Sequence, residues 1–175
     1  MLYVDDQQTA ARAKKIFTAV NDEVVQKRVD RYQAALASPR DHENGKRVFV
    51  KNCINCHKSG EDGHDVGPNL GTIVNKPDET VLLDILKPSD RIESDYRSYL
   101  IATNDGRTVA GVLQSETPTS VLLVKEKGET VSVLRRDIES MRALDVSMMP
   151  SNLHEEITPK QLADLIGWMR RTFSK

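Results

Sequence analysis

Cys53-Ile54-Asn55-Cys56-His57 decides how this chain is to be read, because it holds the only two cysteines in 175 residues. Two thiols separated by two residues, with histidine directly after the second, form the attachment pattern for haem c. Each sulfur makes a thioether to a vinyl carbon, and the imidazole coordinates iron. Three other uses of the pattern fit less well. A thioredoxin-type pair needs a βαβ setting, whereas the residues before Cys53 read as helix and those after it as loop. A structural zinc site needs four ligands, and His42, His64 and His154 do not stand at paired finger spacing around Cys53, Cys56 and His57. A Cys53–Cys56 disulfide would close a very short, strained loop. The adjacent histidine has a role only in the haem pattern, so the expected cofactor is one covalent haem c per chain, with His57 on the iron.

Working outward, Ser38-Pro39-Arg40 interrupts a helical pattern, and Asp41 offers an N-cap for a helix running to about Asn52. Gly45, Val48 and Phe49 fall near one face of that helix, and the glycine permits close approach of another helix. After the motif, Lys58 to Gly71 is a glycine-rich loop without the lysine and hydroxyl of a phosphate loop, and it is expected to wrap the haem edge. His64 within it reads as a solvated loop histidine rather than an extra ligand. Pro77 to Leu86 reads as a helix with Val81, Leu82, Ile85 and Leu86 inward, ended by Pro88. Arg91 suits either a haem propionate, gripped in a bidentate fork, or a surface ion pair.

From Tyr96 to Met141 the apolar period changes to two, with turn residues at Asn104-Asp105-Gly106, Thr117-Pro118 and Lys127-Gly128. Strands are expected near 97–103, 107–115, 119–126, 129–134 and 138–142, making a small antiparallel sheet or barrel. The segment lacks interleaved aromatics and a basic stripe, which points away from nucleic acid and toward a structural or partner-docking role. Helical logic returns at Thr158-Pro159-Lys160-Gln161, a capping box with proline at the first helical position. Leu162, Leu165, Ile166, Trp168 and Met169 then give its apolar face. Just before stand Met148 and Met149, either of which could offer iron a soft thioether, although methionine more commonly fills core gaps. At the other end, Phe17, Val20 and Val24, then Val25, Val29, Tyr32 and Leu36, trace two stripes of a helical hairpin that changes phase at Asn21-Asp22.

Composition sets wider bounds. Hydrophobic content of 38%, charged content of 29% and a net charge of −1 describe a globular chain with no field for nucleic acid or anionic membrane. Aromatics are only 5%, so a buried haem would supply part of the core. No apolar run is long enough for direct membrane insertion. Met1 to Asp6 lacks the basic flank and apolar run of a secretory signal. Haem c is attached outside the bacterial cytoplasm, so the expectation is a domain of a larger exported, periplasmic protein. No nucleophile–base pair and no distal His and Arg set stand out, so the chain reads as an electron carrier rather than an enzyme.

Together, Asn44-Gly45-Lys46-Arg47-Val48-Phe49, the attachment motif, Asp65-Val66-Gly67-Pro68-Asn69-Leu70, Ile85-Leu86-Lys87-Pro88-Ser89, Asp105-Gly106-Arg107, Ile138-Glu139-Ser140-Met141 and Ser147-Met148-Met149-Pro150 resemble the Planctomycetes-type (Pirellula-type) haem-binding cytochrome c domain. The resemblance covers about residues 41–173. It implies an α+β chain: a helical mono-haem cytochrome c fold made of 41–95 plus 143–175, a β module inserted at 96–142, and a helical appendage or linker at 1–40. It also implies that the last helix crosses the first haem-domain helix, with Trp168 opposite Gly45 and Phe49. The resemblance implies haem held by Cys53, Cys56 and His57, with the Pro68 carbonyl accepting a hydrogen bond from His57 and Met149 as the distal ligand, although family members often have leucine at the position of Met148. The implied function is electron transfer with a redox partner protein or a fused dehydrogenase domain. The alternative is a gas-binding or sensing module in which the distal ligand is labile.

Overall fold

A computed structural model describes residues 22–174. Of the first stripe of the expected N-terminal hairpin, Phe17 and Val20 lie outside the described residues, and Val24 is exposed rather than packed. The second is present as a helix over residues 22–35 (α1). It is followed by α2 (His42–Asn52), α3 (Asp78–Leu86), five strands, a short α4 (Leu153–Glu156) and α5 (Pro159–Phe173). No helix among the described residues is long and apolar enough to cross a membrane.

Each main helix begins where its sequence says it should. The Asp41 carboxylate accepts from Asn44 N–H at 2.9 Å, starting α2. Thr158 and Gln161 close a capping box with Pro159 in the first turn, starting α5. The apolar stripes of these two helices then face each other. A methyl group on Gly45 would lie 2.6 Å from Trp168 Cβ, so the backbones approach as only glycine permits. Phe49 and Trp168 stack there with ring centroids 4.7 Å apart. Val48, Phe49, Leu82, Leu162, Leu165 and Ile166 fill the surrounding core.

Residues of α1 belong to that core. Val29 and Tyr32 are buried in it, Leu36 packs against it, and the Tyr32 hydroxyl donates to the Ile157 carbonyl at 2.5 Å. A 3-10 helix at Leu70–Asn75, which begins inside the expected glycine-rich loop, leads toward α3. Arg170 on α5 gathers this region by donating to the carbonyls of Ile73 and Lys76 and, at 3.0 Å, to the Asp78 carboxylate.

The strands are β1 (Ser98–Thr103), β2 (Thr108–Glu116), β3 (Ser120–Val124), β4 (Thr130–Leu134) and β5 (Ile138–Ala143), all paired antiparallel in the order β4-β3-β2-β1-β5. Each lies within three residues of its expected bounds at either end. The sheet is open, with β4 and β5 as edges, and not a closed barrel. Strand alternation gives it two buried faces. On one, Ile101, Val121, Leu123 and Val133 close the sheet's own core. On the other, Val112 and Val124, paired across β2 and β3, meet the helical part of the molecule.

One buried carboxylate ties α2 to α5. Asp164 is 1% exposed and accepts from the Asp41 amide at 2.8 Å, from Asn44 Nδ2 at 2.9 Å and from the Lys160 ammonium. Burial alone would raise its pKa, but these donors and the Lys160 charge outweigh burial and hold it below the ordinary carboxylate value. A depressed folded-state pKa contributes stability that is complete above the unfolded value of about 3.9 and is lost as pH falls through the folded one. Asp164→Asn is therefore expected to cost about 2 kcal/mol in urea unfolding at neutral pH. Its stability should also fall less on acidification than that of the unsubstituted chain.

Candidate functional site

The attachment motif leaves the end of α2 as a tight turn. Cys53 N–H donates to the Phe49 carbonyl at 2.8 Å, and the amides of Cys56 and His57 both donate to the Cys53 carbonyl, at 3.1 and 2.9 Å. The loop returns directly beneath it, with the amides of Val66 and Gly67 donating to the Cys56 carbonyl at 3.0 and 2.7 Å. Gly63 adopts a left-handed φ of +88° where the chain passes against Ile54 and the His57 backbone.

His57 is held from one side. Its Nδ1 lies 2.9 Å from the Pro68 carbonyl, which can only accept, so Nδ1 carries the proton and Nε2 keeps its lone pair. Burial lowers the His57 pKa, and the Pro68 carbonyl opposes that in part, leaving the neutral, ligating form favoured. Gly67 lies directly against the ring: a methyl there would stand 2.5 Å from Cε1 and 2.9 Å from each ring nitrogen.

Both cysteines are free. Burial, with a contribution from Cys56, pushes the Cys53 thiol up to about 12; burial and Glu126 also raise Cys56. A reactive dithiol is favoured by the opposite shift. Among the described residues no three His, Cys, Asp or Glu side chains converge to hold a metal ion.

The thiols and the imidazole open on a cavity of about 600 Å³ whose lining also includes Val112, Met148 and Met149. Its size and apolar lining suit an organic cofactor. The two methionines are embedded differently. Met149 packs against the helical core, as do Cys53, Ile54 and Leu70, whereas Met148 packs against Val66, Val112 and Val124, as does Cys56. Two hydroxyls hold their loop: Ser147 N–H donates to Ser89 Oγ, and Met149 N–H donates to Ser147 Oγ, each at 3.1 Å.

Residues 42–106 match the family model for Cytochrome c. That match supports a cytochrome c domain in this region, with covalent haem c as its cofactor. The cavity beside the motif fits such a group: two thiols stand at its wall, an imidazole presents an unprotonated nitrogen, and most of the surface is apolar. The match ends at Gly106, well before the two methionines.

Sequence reasoning missed several lining residues. Val112 and Tyr96 belong to the strand-rich region, and nothing in a period-two pattern says that one face will reach a helical cavity. Lys76 and Asp84 also line it. Asp84 pairs with Lys76 at 3.1 Å and with Arg91 at 2.7 Å, so Arg91 is in an ion pair and at the cavity at once. His64 stands beside the β3–β4 turn at Gly128 and is not part of the lining.

Gly67→Ala is expected to displace the His57 ring from the Pro68 carbonyl. Orienting partners of a ligating histidine are commonly worth about tenfold or more, so the yield of haem-loaded protein should fall by about that factor. Quantifying haem per protein by absorbance after expression with the attachment machinery checks it.

Proposed function

We propose that this chain is an electron-transfer domain in which Cys53 and Cys56 form the thioethers, His57 Nε2 is the proximal ligand and Met149 Sδ is the distal one. The observation that carries this is the meeting of four donors in one apolar cavity: two thiols, an imidazole whose other nitrogen is committed to Pro68, and a thioether on a hydrogen-bonded loop. When bound, haem c supplies a one-electron iron couple, and a histidine–methionine pair favours a raised potential. The chain's own residues do the rest. The Pro68 carbonyl fixes the tautomer and direction of His57. Ser147 and Ser89 restrain the loop that carries Met149, and its packing against the helical core directs it to that side of the cavity. Apolar side chains keep water from most of the site.

We further infer that residues 41–95 and 143–175 form the haem domain, with 96–142 inserted and 1–40 preceding it, in the manner of the Planctomycetes-type domain. On this account the chain is a carrier module, not an enzyme, and serves an exported or periplasmic protein. Its partner is a redox protein or a fused dehydrogenase domain. Nucleic acid binding and membrane insertion are not part of its role.

Visible spectra of the loaded protein, oxidised and reduced, with and without CO, test the ligand assignment. The oxidised form is expected to show a methionine-to-iron charge-transfer band that disappears in Met149→Ala and persists in Met148→Ala. The reduced form should not shift with CO. Rapid CO binding without any substitution would instead favour gas binding or sensing, with a labile distal position.

A further inference from the structure

The five-stranded sheet spends only one of its faces on its own core. On the other, Val112 and Val124 are 6% and 5% exposed and face each other across the β2–β3 register, forming a single β-branched ledge. That ledge is buried against Val66, Cys56 and Met148, and Val112 lines the cavity itself. A latch lies nearby. The turn between β3 and β4 places Lys127 and Gly128 at left-handed φ values of +59° and +72°. There the Lys127 amide donates at 2.8 Å to the carbonyl of Asn55, inside the attachment motif. Sheet and motif are therefore joined by a backbone hydrogen bond at one point and by an apolar seam at another.

We propose that the sheet is a wall of the haem site, with Val112, backed by Val124, keeping water from the Cys56 side and thereby raising the reduction potential. This rests on the haem c assignment. The physical reason is that oxidised iron carries one more positive charge than reduced iron, and a dry, low-dielectric wall disfavours the more charged state. Replacing apolar wall by polar wall admits hydration and reverses that preference. In this account the strand-rich segment sets the cofactor's potential and is not merely a spacer between His57 and Met149. Met148 closes the same seam, which gives it a role distinct from that of Met149.

The test compares two substitutions of equal chemistry. Val112→Thr puts a hydroxyl at the cavity wall. Val133→Thr puts one in the sheet's own core, where Val133 is 7% exposed. Each loaded protein is equilibrated with a mediator of known potential. The oxidised-to-reduced ratio is expected to rise by about threefold or more in Val112→Thr and to stay unchanged in Val133→Thr. No change in Val112→Thr, or an equal change in both, overturns the proposal. If Val112→Thr does not fold, the haem-free protein decides. Val112→Ala should speed maleimide labelling of Cys56, read in a Cys53→Ser background, and leave Cys53, read in a Cys56→Ser background, unaffected. Equal labelling of both cysteines would also overturn it. Loss of the methionine charge-transfer band in the unsubstituted protein would defeat the Met149 assignment alone, since the Val112–Val133 comparison does not depend on it.

Discussion

The close crossing of α2 and α5 is the constraint on which the remaining geometry depends. It exists because Gly45 has no side chain where Trp168 arrives, and because the Asp164 carboxylate reaches across to the Asp41 amide and the Asn44 side chain. A carboxylate this deeply buried is costly, and its three donors compensate for that cost only while the two helices keep their relative position. The arrangement thus specifies a crossing point as much as it stabilises one. Phe49 stacks on Trp168 one turn before Cys53, so the attachment motif starts from a packed and oriented helix end. His57 needs such a support, because its ring must point at one place while Pro68 holds its other nitrogen.

The sheet adds a second constraint from the opposite side. A small sheet with one apolar face would be content to close that face and leave the other to water. Here the second face of β2 and β3 carries buried Val112 and Val124 as well, and it has a purpose only when it meets Cys56, Val66 and Met148. The cavity is consequently bounded by two unlike structures, a helical side near Cys53 and Met149 and a strand side near Cys56 and Met148. Two adjacent methionines can therefore serve different surroundings although they are neighbours in the chain.

Much of this was legible in the residues. The attachment motif announced its cofactor because immediate histidine after paired cysteine has so few other uses. Asp41, Thr158 and Gln161 marked helix starts by chemistry that acts within one turn, and the period-two stretch located all five strands. The turn at Lys127-Gly128 was visible as a turn, but its hydrogen bond to Asn55 was not, since a backbone donor leaves no trace in residue identity. The same limit hid the 3-10 helix after Asn69 and the participation of α1 in the core. Val29, Tyr32 and Leu36 displayed an apolar stripe without saying what would cover it.

By itself, then, the sequence determined the local chemistry: where helices and strands begin, which faces are apolar, and which residues are candidates to hold haem. These properties depend on residues a few positions apart, for which periodicity and capping are sufficient. Only the tertiary structure decided that the sheet stays open, that its second valine face becomes part of the cavity, and that Met148 and Met149 face different neighbours. Those outcomes depend on contacts between segments distant in the chain. An apolar pattern states that a face must be buried but does not name its partner.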